Sequence, residues 1–175
     1  VVKCRNTGRI CLFTNTGQLH TIKTADIPFG KFRDKGLPAD NISNYNSSSE
    51  NIITIASQSE LNLYRLLFIT RQGMCKIVSG GEFDVAKRTV ASTKLGEDDT
   101  LIDIQIVTEH QHIILQSKDG YFLRFDVDEI SELKKTALGV RGMRLENNDY
   151  IENVYYCLPG SDGSIEYKNK KIELK

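Results

Sequence analysis

Ile10-Cys11-Leu12-Phe13-Thr14-Asn15-Thr16-Gly17, Leu66-Leu67-Phe68-Ile69-Thr70-Arg71-Gln72-Gly73 and Ile113-Ile114-Leu115-Gln116-Ser117-Lys118-Asp119-Gly120 share one layout. Each is an apolar run of strand length, then a polar turn that closes on glycine. A hydroxyl residue (Thr14, Thr70, Ser117) stands three positions before the glycine every time. That combination specifies a tight hairpin: the hydroxyl bonds nearby backbone, and glycine takes the positive φ that the turn requires. The returning strands are expected at residues 19–23, 74–78 and 121–125.

Working outward, each hairpin is followed by a basic loop, an acidic turn and a further strand. Those strands are expected at 51–55, 100–104 and 150–154, with Glu50, Asp99 and Asp149 just before them. The turn glycines lie 56 and 47 residues apart. Four short strands in a unit of that length is the arithmetic of a propeller-like blade. The expected units are residues 8–58, 64–107 and 112–158, with a terminal hairpin over 159–175 and Lys168–Lys170 near its turn. The first unit is longer because of the polar loop at 44–49, whose composition predicts mobility. Helix is confined to one short turn beginning at Asp126, where Asp-Val-Asp-Glu-Ile offers a cap. The fold class is all-β, with about three four-stranded blades plus a terminal hairpin, either a naturally short array or a piece of a larger disc.

The chain has 175 residues, is 39% hydrophobic and carries 23 basic and 23 acidic residues, so its formal net charge is zero. A uniformly basic nucleic-acid binder is excluded, but a basic face balanced by an acidic remainder is not. No apolar run approaches the length of a membrane helix, and no membrane partner is expected. Cys4, Cys11, Cys75 and Cys157 show no close pairing; three sit in apolar strand-like stretches, as reduced core thiols do, which favours the cytosol. His110 and His112 have no Cys or carboxylate at zinc-ligand spacing, so neither metal nor cofactor is expected.

Charge is concentrated in phase with the repeat. Residues 29–39 hold Lys31, Arg33 and Lys35 against Asp34, for +2. Residues 83–95 hold Lys87, Arg88 and Lys94 against Asp84, again +2. Residues 131–145 hold Lys134, Lys135, Arg141 and Arg144 against Glu132, for +3. The three windows total +7, and the remainder of the chain carries −7. Equivalent positions of an arc-like array lie along one edge, so these loops predict a discontinuous positive rim suited to a curved polyanion such as duplex DNA. Gly139 and Gly142 would let backbone approach phosphate oxygens closely.

The hairpin, basic loop and acidic strand-start resemble the C-terminal repeat of type IIA topoisomerase A subunits, those of DNA gyrase and topoisomerase IV. The nearest matches are residues 83–95 and Gly139-Val-Arg-Gly-Met-Arg-Leu145 with Asp149; the resemblance covers residues 8–158. It implies a β-pinwheel whose blades exchange strands, and which bends sequence-tolerant duplex DNA around its edge without chemistry of its own. It further implies a cytoplasmic, nucleoid-associated parent, an ATP-dependent topoisomerase. In that parent the partners are an ATPase B subunit together with the rest of the A subunit. The first repeat, Phe29-Gly-Lys-Phe-Arg-Asp-Lys-Gly-Leu37, lacks the Arg-Arg-Gly-Gly core of the gyrase box and in this resembles topoisomerase IV. Two other readings stand beside it: a propeller used for protein–protein contact without DNA, and a propeller enzyme. The enzyme needs convergent carboxylates or a nucleophile–base pair, whereas the acids here lie at strand starts and loops, and Tyr121 and Tyr155 fall in strand patterns as core or blade-face residues.

Overall fold

The structure, a computed structural model, describes residues 2–107, 111–157 and 163–174. The first repeat supplies β1 (Arg9–Thr14), β2 (Gln18–Lys23) and β3 (Ile52–Ser57). The second supplies β4 (Arg65–Thr70), β5 (Met74–Ser79), β6 (Thr89–Ala91) and β7 (Leu101–Ile106). The third supplies β8 (His112–Ser117), β9 (Phe122–Asp126), β10 (Val140–Arg141) and β11 (Ile151–Cys157). A last hairpin, β12 (Gly163–Tyr167) and β13 (Lys170–Leu174), forms a sheet of its own. The part of the expected hairpin at 159–162, and His110, lie outside the described residues.

Each repeat hairpin closes as its sequence predicts. Gly17, Gly73 and Gly120 have φ of 75°, 77° and 92°, and each donates its N–H to the carbonyl three residues back. The hydroxyls act locally: Thr70 Oγ1 accepts from the Met74 N–H at 3.1 Å and Ser117 Oγ from the Tyr121 N–H at 3.3 Å. The in-phase acids tie the third strand of each repeat to its turn. Asp99 Oδ1 accepts from the N–H groups of Gln72 and Thr100, and Asp149 Oδ1 from those of Asp119 and Tyr150.

The sheets cross repeat boundaries. Their orders are β3-β1-β2-β6 and β7-β4-β5-β10, so the fourth strand of each comes from the loop of the next repeat. The third sheet is β11-β8-β9, three-stranded among the described residues, where four strands were expected. The reason is the same exchange: the third repeat donates its short strand backwards.

Along β4 the side chains alternate between two cores, as strand geometry requires. Leu66 and Phe68 join Phe13, Leu19, Val78 and Phe83 between the first and second sheets, while Leu67 and Ile69 join Ile77, Ile113, Leu115 and Ile151 between the second and third. Phe13 meets Phe83 edge-on at 5.2 Å between ring centroids. The 44–49 loop, expected to be mobile, is tied down instead: Asp40 Oδ1 accepts from the Ser47 N–H, Asn44 donates to Thr89 Oγ1, and Tyr45 Oη donates to the Glu50 carbonyl.

Candidate nucleic-acid interface

The ten cations singled out in the sequence lie on the three loops between the second and third strands of each repeat. Lys87, Arg88 and Lys94 flank β6; Lys134 and Lys135 precede β10, Arg141 lies in it and Arg144 follows it. These donated strands occupy the sheet edge opposite β3 and β7, which pack beside each other. Lys31, Arg33 and Lys35 stand on the first loop, which no sheet among the described residues takes up. All ten side chains are exposed except Lys135, which is half-buried. Within the first loop Asp34 Oδ2 accepts from the Lys31 N–H at 2.6 Å, so this acid shapes a turn, and Arg33 has a φ of 80° and lies over the Phe32 ring.

Several of these cations also hold the exchange together. Arg88 Nη2 is 3.7 Å from Asp26 Oδ2, and Lys134 Nζ is 3.4 Å from Glu82 Oε1. The Lys135 N–H donates to Glu82 Oε2 at 2.9 Å and its Nζ to the Glu82 carbonyl at 2.7 Å. Asp26 and Glu82 sit on short 3-10 turns, Thr24–Asp26 and Gly80–Phe83, that follow the host strands. Both acids come nine residues after the turn glycine, as does Glu129 in the third repeat. This periodic acid was legible in the sequence and was missed. The Arg88 and Lys134 side chains stay 59% and 82% exposed, so each still presents charge outward.

Two buried polar residues grip the donated segments from inside the host sheets. Lys76 is 1% exposed, and its Nζ donates to the carbonyls of Lys135 at 2.8 Å, Ala137 at 2.7 Å and, at 3.4 Å, Lys134. Burial pulls its pKa down to about 8, against the opposing influence of Glu82. His20, three residues after Gly17 as Lys76 is after Gly73, meets Thr89 Oγ1 of β6 at 3.0 Å and Glu50 Oε2 at 3.0 Å. Burial alone would raise the Glu50 pKa, but its bonds from His20, Thr14 and Thr16 outweigh that and lower it. Neither residue was recognised in the sequence, where each reads as an ordinary strand position.

The glycines of the third loop have a packing reason. A Cβ on Gly142 would stand 2.6 Å from Cys75 Sγ, and one on Gly139 would stand 2.9 Å from the Cys75 carbonyl oxygen. They let β10 approach β5, rather than serving a phosphate.

The family model of the DNA gyrase C-terminal domain, β-propeller, matches residues 64–108 and 111–157. The chain belongs to this family. The DNA gyrase A subunit of Lawsonia intracellularis is 31% identical over 145 residues, 81% of this chain and 17% of that protein. Its counterpart from Rickettsia bellii is 32% identical over 144 residues, 79% of this chain and 16% of that one. The C-terminal domain of a DNA topoisomerase IV superposes with a TM-score of 0.84 at 27% identity, over 93% of this chain and 51% of that one. The E. coli ParC C-terminal domain has the same fold, with a TM-score of 0.81 at 17% identity over 98% of this chain and 71% of that one. The chain thus spans about a sixth of the gyrase relatives and about half of the topoisomerase IV domain.

Within this gyrase-type pinwheel the remaining reactive side chains have structural surroundings. Burial pushes the thiols of Cys11 and Cys75 up to about 12, and both lie in the cores. Tyr155 Oη donates to Gln116 Oε1, whereas Tyr121, expected in the core or on a blade face, is 61% exposed. His112 packs between Arg124 and Asp126. Among the described residues no cluster of His, Cys, Asp or Glu is arranged to hold a metal ion, and no helix is long and apolar enough to cross a membrane.

Proposed function

We propose that this chain binds and bends duplex DNA as the C-terminal domain of a bacterial type IIA topoisomerase A subunit, presenting the duplex to the cleavage core. The reading rests on one observation: exposed cations recur on the equivalent loop of every repeat, on the edge away from the inner strands. Lys87, Arg88, Lys94, Lys134, Arg141 and Arg144, with Lys31, Arg33 and Lys35 on the first loop, are positioned to neutralise phosphates spaced along a curved path. Such contacts release counterions and carry no base information, so binding is sequence-tolerant. The domain itself contributes no bond-breaking group. Cleavage belongs to the rest of the A subunit, with ATP turnover on the B subunit, in the bacterial cytoplasm beside the nucleoid.

Electrophoretic titration of duplex DNA across salt concentrations tests this reading. With about four to six phosphates neutralised, log K against log[salt] should fall with a slope of roughly −4 to −5. Arg141→Ala with Arg144→Ala should weaken binding on all sequences alike and reduce the slope by about 2. An unchanged slope, or an equal loss from Lys168→Ala with Lys170→Ala on the terminal hairpin, would place the DNA elsewhere. Absence of binding at low salt would favour the protein–protein reading.

A further inference from the structure

The exchange of strands leaves one donor and one acceptor unmatched within the described residues. The two completed interfaces are built alike. The N–H of Ser92 donates to the Gly17 carbonyl, and the N–H of Gly142 to the Gly73 carbonyl, both at 2.8 Å. Val90 lies opposite Leu19, and Val140 opposite Cys75, each two residues after the turn glycine. A cation just ahead of the donated strand meets the host acid: Arg88 on Asp26, and Lys134 and Lys135 on Glu82. The host residue three places after the turn glycine is covered by the incoming segment, so His20 is 3% and Lys76 1% exposed.

In the third repeat the host parts are present and the incoming segment is not. Sheet β11-β8-β9 ends at β9. Leu123, at the position of His20 and Lys76, is 37% exposed, and Glu129, at the position of Asp26 and Glu82, is exposed. A groove of about 340 Å³ runs beside β9, lined by Leu123, Phe125, Glu129, Ile130, Val140 and Arg141 among others. The first repeat has the converse condition. Lys35-Gly36-Leu37-Pro38-Ala39 matches Leu138-Gly139-Val140-Arg141-Gly142 in pattern: a glycine at positive φ (Gly36 74°, Gly139 104°), a branched apolar residue and, two further on, a small residue. Lys35 falls where Arg88 stands in the second repeat. Leu37 is 51% exposed, and Phe29 and Phe32 just ahead are 103% and 91% exposed.

We propose that the open edge of β9 receives residues 35–39 of a second copy of this chain, with Leu37 entering the groove beside Leu123 and Lys35 meeting Glu129. Charge complementarity and continuity with the two existing exchanges both select this occupant: a basic, glycine-containing segment on an edge whose 3-10 turn carries an acid. The contact is head-to-tail, and two copies can make it twice by closing on each other. It concerns assembly alone and is independent of whether the loops bind DNA.

Sedimentation equilibrium of the 175-residue chain in DNA-free buffer tests the contact. The expected result is concentration-dependent self-association that Lys35→Glu and Glu129→Lys each weaken about tenfold, and that carrying both substitutions in one chain restores. Because Glu129 also caps its 3-10 turn, a second arm keeps the fold untouched: a synthetic peptide of residues 27–43 should bind the chain, and its Leu37→Asp version should not. A chain that stays monomeric and ignores the peptide overturns the proposal. So does self-association indifferent to both charge reversals.

Discussion

At Lys76 two effects oppose each other. Removal from water disfavours the ammonium, while three backbone carbonyls at its Nζ favour it, and burial prevails to bring the pKa to about 8. Below that pH the amine is protonated in both the folded and the unfolded chain, so the full burial cost is present. Between about 8 and the ordinary 10.5 only the unfolded chain keeps the proton, and stability therefore rises with pH across this window. Lys76→Met removes that dependence. Denaturant titrations from neutral pH upward should show wild type gaining on the variant by about 3 kcal/mol across the window. A stability gap that does not change with pH would mean that Lys76 does not titrate there. The variant should also loosen the loop at residues 131–137, read as faster tryptic cleavage after Lys134 and Lys135. None of this was legible in the sequence, because a lysine in a strand normally points to water; only the neighbouring repeat's carbonyls make this one an interior residue.

At the scale of elements, the hairpins were legible and the exchanges were not. Alternating apolar runs and a glycine three residues after a hydroxyl are local signals, and the structure places strands and positive-φ turns on all three. Gly73 is the most demanding of these turns: its φ is 77°, and an added Cβ would stand 3.1 Å from the Met143 carbonyl oxygen. Gly73→Val should therefore cost about 2–3 kcal/mol through backbone strain and lower the thermal midpoint by several degrees, while Lys118→Ala in the next turn should leave it in place. A midpoint unmoved by Gly73→Val would contradict the turn geometry. By contrast β6 has three residues and β10 two, too short to show any period, and their partners lie some 70 residues earlier. The mobility expected of the loop at 44–49 failed for a related reason: its polar side chains are satisfied by Asp40, Thr89 and Glu50 rather than by water.

For the whole molecule, a neutral chain concentrates cations on one edge, and three repeats supply only an arc of it. On the first loop Lys31, Arg33 and Lys35 are interrupted by Asp34, which is committed to a turn with the Lys31 N–H. That arrangement is a looser clamp than consecutive arginines and glycines. The chain should therefore bend DNA without closing a full wrap, which suits relaxation or decatenation better than strong negative supercoiling by its parent. Ligating nicked circles in the presence of the domain measures this. Clear binding with no change in linking number is expected; a large stoichiometric change would return the gyrase-like wrap.

The sequence by itself determined the local and the periodic: three glycine-closed hairpins, the strands that follow them, the phase of the basic loops and the family they resemble. Each of these depends on residues close together in the chain, whose turn chemistry and alternation act at short range. Only the tertiary structure decided which sheet each short strand completes, why Gly139 and Gly142 must be small, and how Lys76 and His20 come to hold a neighbouring repeat. Those outcomes depend on contacts between residues more than 50 positions apart, where burial and close packing, not pattern, select the partner. The acids at Asp26, Glu82 and Glu129 stand between the two cases: their spacing was written in the sequence, but their purpose appeared only when the next repeat's cations were set against two of them.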